Sequence, residues 1–208
     1  MSGRSREAEA AAGRSEKGVF MKSYRITPGK DVRVAISGKS GCGNTTVSSL
    51  LAEALGVRLI NFTFRQLAAE RGMTLAEVIE AAKTDDSYDI AVDTRQVELA
   101  RAEPCVLGSR LAVWLLKEAD LTVYLKADDD VRTRRIQNRE GGSLEEIQAF
   151  TAMRDSEDAR RYKKLYGIDS SDYAFCGLVI DTKDVPPEEI VQRILAELER
   201  RGLVEQTE

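Results

Sequence analysis

Histidine is absent from all 208 residues. That excludes a Ser–His–Asp triad, a histidine general base and every metal site that needs an imidazole. Cysteine is scarce. Cys42, Cys105 and Cys176 are odd in number, far apart and in no CxxC pair. This spacing argues against both a disulfide framework and a zinc site, and it suits thiols in a reducing cytosol, so a cytoplasmic location is expected. No apolar run approaches the ~18 residues of a membrane span. Positive charge is not in excess: 31 Lys and Arg stand against 35 Asp and Glu, for a net charge of −4. That balance speaks against a general nucleic-acid-binding role. The start, MSGRSREAEAAAGRSEKG, lacks the apolar stretch of a secretory signal.

What is present is an alternating pattern. Residues 1 to about 24 are small, polar and charged, and read as a disordered extension, with Met21 as a second candidate start. From there to residue 208 the chain reads as one domain. Short apolar runs at 32–37, 58–62, 105–109, 121–125 and 178–182 read as strands. Helical spacing fills about 45–55, 63–71, 74–82, 87–101, 129–139 and 143–166, with a short helix through Trp114. Pro186 and Pro187 open a last helix, about 187–201. Alternation of this kind predicts an α/β fold, a five-stranded parallel sheet with helices on both faces, binding ligands at the carboxyl ends of its strands.

The strongest local motif is Gly38-Lys39-Ser40-Gly41-Cys42-Gly43-Asn44-Thr45-Thr46, between a strand and a helix. Glycines there let backbone N–H groups turn inward around phosphate, and the helix N-terminus adds partial positive charge. Thr45 sits where a hydroxyl ligates Mg²⁺. The GxxxxGK[ST] pattern wants lysine at 44, and this chain has Asn44. An amide donates hydrogen bonds without charge, which permits phosphate binding and weakens the case for catalysis. Lys39, five residues earlier, has the offset of the signature lysine in the deviant Walker loops of the MinD-like ATPases. It either brings its ammonium to the β/γ-phosphates, within one chain or across a dimer, or is a solvated loop lysine.

Two arginine-rich helices follow. Arg154, Asp158 and Arg161 share one helical face, suited to clamping phosphate around a carboxylate or to an ion-pair ladder. Arg132, Arg135 and Arg139 share another face, ahead of Gly141 and Gly142, as in a lid or a basic solvated helix. Arg65 and Arg110 come just after strands, at the edge facing the phosphate loop. Asp93 and Gln96 lie on the helix before the third strand, as acceptor contacts or salt-bridge partners.

In order, ISGKSGCGNTT, NFTFRQLA, DTRQVELA, CVLGSRLAVWLL, RIQNREG, RDSEDARRYKKLYGID and LVIDT resemble the short cytidylate kinases and cytidylate-kinase-like proteins of archaeal type, from about Val32 to Leu195. The resemblance implies a P-loop NTPase-type three-layer α/β/α fold. It implies an acceptor-binding segment at about 61–101 and a short lid at about 130–142. It implies ATP and Mg²⁺, CMP or dCMP as acceptor, no nucleic acid and no membrane, and a monomer, with a dimer left open. Arg154 and Arg161 would bind acceptor or transferring phosphates and Asp158 the cytidine moiety. Arg65 and Arg110 would hold the CMP phosphate, with Asp93 beside the acceptor. Arg132 and Arg135 would close over ATP, and Thr45 would help hold Mg²⁺. Asn44 breaks the pattern, and keeps open a nucleotide-binding module that has lost efficient transfer, or a kinase for another small acceptor.

Overall fold

The structure is a computed structural model describing residues 23–207. The expectation of a disordered segment therefore lies, for residues 1–22, outside the described residues. At its end the expectation is corrected: Ser23 and Tyr24 belong to a strand, β1 (Ser23–Ile26).

Five parallel strands form the main sheet: β2 (Arg33–Gly38), β3 (Arg58–Ile60), β4 (Cys105–Gly108), β5 (Leu121–Lys126) and β6 (Leu178–Asp181). Their order is β3-β4-β2-β5-β6. β2 lies in the middle, Ile36 opposite Gly108 on one side and Gly38 opposite Leu125 on the other. The chain crosses from one side of β2 to the other after β4, so the crevice opens at the carboxyl ends of β2, β4 and β5.

The helices are α1 (Asn44–Leu55), α2 (Phe64–Arg71), α3 (Leu75–Ala81), α4 (Ser87–Ala102) and α5 (Ala112–Leu115). They continue with α6 (Asp129–Glu140), α7 (Leu144–Tyr166) and α8 (Pro187–Arg200). Strand side chains alternate between two cores. Val34, Ile36, Val106, Val123 and Leu125 pack on α1 and α8. Ala35, Leu107 and Tyr124 pack toward α4, α5 and the end of α7 through Val97, Trp114 and Tyr162. A separate small cluster, Phe62, Leu67, Ala68, Val78 and Val92, holds α2, α3 and α4 together as a flap beside the sheet.

Local chemistry explains the boundaries. Thr74 with Glu77 and Ser143 with Glu146 form capping boxes that start α3 and α7. Gly56, Gly72 and Gly167 close α1, α2 and α7 in the left-handed conformation. Two strands escaped the sequence reading. β1 pairs antiparallel with β7 (Val204–Thr207), joining the two ends of the described chain.

Candidate active site

The crevice holds a cleft of about 670 Å³, the size of an ordinary small-molecule site. Its floor is the phosphate loop, residues 38–46, running from β2 into α1. One wall is formed by Arg135 and Arg139 of α6 with Thr182, Val185, Pro187 and Ile190. The other wall carries Asn61, Thr63, Asp93 and Gln96. Arg110, Arg154 and Tyr162 lie between.

Asn44 is turned inward. Its Nδ2 donates to Ile36 O at 3.3 Å and Ser109 O at 3.4 Å, and its Oδ1 accepts from Ser48 Oγ at 2.9 Å. The position where lysine is usual thus ties α1 to β2 and β4 and adds no charge to the cleft. Lys39 does add one: its half-exposed Nζ lies 3.3 Å from Asp155 Oδ2.

Arg132 corrects the expectation of a lid cation. It is 1% exposed and does not line the cleft. Its guanidinium donates to Ser40 O (2.8 Å), Asp129 (2.9 Å) and Asp155 (2.7 Å), so it is a buried strut beneath the phosphate loop. Arg135 reaches Thr182 Oγ1 at 2.8 Å and Gly41 O at 3.3 Å, fixing the loop to the start of the β6–α8 connection. Arg139, on the same helical face and pointed out by its spacing, reaches the cleft as well.

On α7, Asp158 gathers two arginines. It accepts from Arg110 at 2.7 Å and Arg161 at 2.9 Å. Arg110 also donates to Ser40 Oγ at 2.9 Å, and Arg161 lies 3.3 Å from Asp89. Asp158 thus orients both guanidiniums. Arg154 has no ion-pair or hydrogen-bond partner among the described residues, and burial together with the Arg110 charge lowers its pKa. An unpaired guanidinium facing a phosphate loop is an anion receptor.

Asp93 accepts from Tyr166 Oη at 2.8 Å, and burial pushes its carboxyl up to about 6. Arg65 is exposed on α2 and outside the cleft, because Leu67 and Ala68 turn the other face of that helix inward. Sequence reasoning missed Asp155 and Asp89 as counterions and Tyr166 as a donor. Asp155 and Tyr166 stood inside the quoted RDSEDARRYKKLYGID stretch; Asp89 carried no signal beyond its position.

Thr45 lines the cleft at the start of α1, and among the described residues no cluster of three acidic or sulfur side chains could cage a metal. That donor set fits Mg²⁺ arriving on a nucleotide, held by phosphate oxygens, water and one hydroxyl.

A phosphate loop heading the central strand of a parallel sheet, with arginines converging from a separate helical pair, defines a P-loop phosphotransferase. Solved structures agree on the fold: shikimate kinase from Bacteroides thetaiotaomicron superposes with a TM-score of 0.55 at 19% identity, covering 81% of this chain and 98% of that one. The sequence model of the cytidylate kinase-like family matches residues 33–184, and the chain belongs to that family. Cytidylate kinase 2 of Borreliella burgdorferi is 41% identical, covering 83% of this chain and 98% of that protein. Cytidylate kinase of Archaeoglobus fulgidus is 39% identical, covering 81% and 95%.

Proposed function

We propose that the protein transfers the γ-phosphoryl group of ATP to CMP, giving ADP and CDP, with dCMP as a related acceptor and Mg²⁺ entering as part of Mg–ATP. The observation that carries this reading is the unpaired Arg154, set between the phosphate loop and the acceptor wall. Relatives named cytidylate kinase, matching over nearly their whole length, support the acceptor. The flap at about 61–101 receives the monophosphate, and the α6–α7 turn near residues 140–142 is the lid.

Phosphoryl transfer passes through a loose transition state, so catalysis is positioning plus charge neutralisation, and no histidine is needed. The phosphate-loop amides and the α1 N-terminus bind the donor phosphates. Thr45 offers its hydroxyl to the magnesium on ATP. Arg110, oriented by Asp158, holds the acceptor phosphate, and Arg161, which does not line the cleft, braces Asp158 beside it. Arg154 bridges to the group in flight. Lys39 exchanges Asp155 for the β/γ-phosphates and so supplies the charge that Asn44 does not. Thr182, Val185, Pro187 and Ile190 give the donor base a mainly apolar wall.

The test is ADP release from ATP and Mg²⁺ with CMP, dCMP, UMP and AMP. CMP-dependent turnover of about 1 s⁻¹ or faster is expected. Saturable ATP binding without ADP release in the presence of any acceptor would overturn the kinase and leave a nucleotide-binding module. Lys39→Ala is expected to lower kcat about 10²- to 10³-fold. An unchanged kcat would remove Lys39 from the mechanism.

A further inference from the structure

Asn44 stands where the phosphate-loop pattern wants lysine, yet its contacts run to the end of β4 and not to the donor side. Its Nδ2 donates to Ile36 O and Ser109 O, at 3.3 and 3.4 Å, and its Oδ1 accepts from Ser48 Oγ at 2.9 Å. The reverse orientation would set Oδ1 against two carbonyl oxygens, so the surroundings allow one placement of the amide.

Both carbonyls belong to one junction. Ser109 N donates to Ile36 O at 3.2 Å, and Ser109 O accepts from Ser37 Oγ at 2.9 Å. Ser37 Oγ in turn accepts from Val113 N at 3.1 Å. Ser37 and Ser48 are buried, and neither lines the cleft. Ser48 also presses on the preceding residue: a Cβ on Gly108 would lie 2.6 Å from Ser48 Oγ and 2.8 Å from Ser48 Cβ. Side chains of β2 and α1 thus grip Gly108 and Ser109 where β4 ends.

The residue that follows is Arg110. Its guanidinium is placed by Asp158 at 2.7 Å and Ser40 Oγ at 2.9 Å. Its backbone is placed by the grip on Ser109. An arginine fixed at both ends loses little freedom when it meets an anion.

We infer that Asn44 is a positioning residue for the acceptor. Through Ser109 it sets the direction from which Arg110 meets the acceptor phosphate, with Ser48 holding the amide and Ser37 sharing the carbonyl. Position 44 here serves acceptor geometry in place of donor charge. An amide suits this task and a lysine does not. An ammonium cannot accept from Ser48, and its four-carbon stem overreaches carbonyls that the short amide touches.

This inference rests on the CMP-kinase reading, in which Arg110 holds the acceptor phosphate, and the experiment separates the two. KM is measured for CMP and for ATP, each with the other substrate saturating, in the full-length protein, Asn44→Ala and Ser48→Ala. Asn44→Ala should raise KM for CMP about 5- to 10-fold and leave KM for ATP within about twofold. Ser48→Ala, a change outside the cleft, should raise KM for CMP about two- to threefold with the same indifference to ATP. A general loosening of the phosphate loop would not give that split. An unchanged KM for CMP in Asn44→Ala, a rise confined to ATP, or equal rises in both would each overturn the inference and leave the CMP kinase standing. If Asn44→Ala fails to fold, Ser48→Ala decides by the same split. If no acceptor supports ADP release, calorimetric titration of the same proteins with CMP and with ATP reads the split without turnover. Absence of CMP binding by the unaltered protein would overturn the kinase reading and this inference together.

Discussion

Asp93 shows how much one side chain can depend on its surroundings. Its carboxyl is raised from the ordinary 3.8 to about 6, chiefly by burial, with Asp89 adding repulsion, while the Tyr166 hydrogen bond and the Arg161 charge oppose the rise. The folded state thus holds the Asp93 proton more tightly than the unfolded chain does. Stability from this group is complete below pH 3.8 and is lost as pH rises through about 6. The window corresponds to about 3 kcal/mol at most. Asp93→Asn keeps an oxygen for Tyr166 and cannot ionise. Thermal midpoints of the two proteins should lie close together at pH 4 and separate as pH rises to 7, with the variant the more stable; parallel curves would mean that Asp93 ionises freely. At this scale the sequence was partly legible. Arg154 and Arg161 stand out by spacing and Arg110 by its place just after a strand, and all meet Asp158 or the cleft. Arg132 misleads, because an arginine on an arginine-rich helical face reads as a lid cation or a solvated one, whereas Asp129, Asp155 and the Ser40 carbonyl together stabilise it in a buried place.

The phosphate loop forms the floor of the cleft, and its two left-handed glycines differ in kind. Gly41 has φ +84, and a Cβ there would lie 2.8 Å from Arg132 O and 2.9 Å from Arg132 Cα. Gly43 has φ +89 and open space where its Cβ would go. An alanine at 43 meets only backbone strain, about 1–2 kcal/mol. An alanine at 41 adds a backbone clash that must push the loop off α6, breaking the Arg132–Ser40 and Arg135–Gly41 bonds. Gly41→Ala should therefore weaken ATP binding at least tenfold more than Gly43→Ala, as read by nucleotide titration. Equal effects would mean that α6 is no template for the loop. Strand–loop–helix order made the loop legible from sequence. Its bracing by α6 was not legible, because the contacts join residues about ninety positions apart.

The whole molecule divides its labour between the cleft and the far edge of the fold. Alternation of apolar runs was enough to give the parallel sheet and its covering helices, since the three central strands are buried on both faces and α1, α2 and α7 end at glycine caps. The β1–β7 pair was not legible. Each strand has four residues, and the two lie about 180 positions apart, so neither carries a local signal. Yet Val204 is 2% exposed and joins the core beneath α1 and α8, while none of the β1 or β7 residues lines the cleft. The pair thus contributes stability and stands apart from the chemistry. Val204→Asp places an unpaired charge in that core, which costs about 3 kcal/mol or more. For a chain of this size that lowers the unfolding midpoint by roughly 6–12 °C. KM for ATP and for CMP, measured well below that midpoint, should stay within about twofold, because additivity holds for sites without shared partners. A rise in either KM at a temperature where the variant is folded would show that the terminal strands reach the cleft through α1, whose first turn carries Thr45 and whose body packs on both the sheet and the β1 strand.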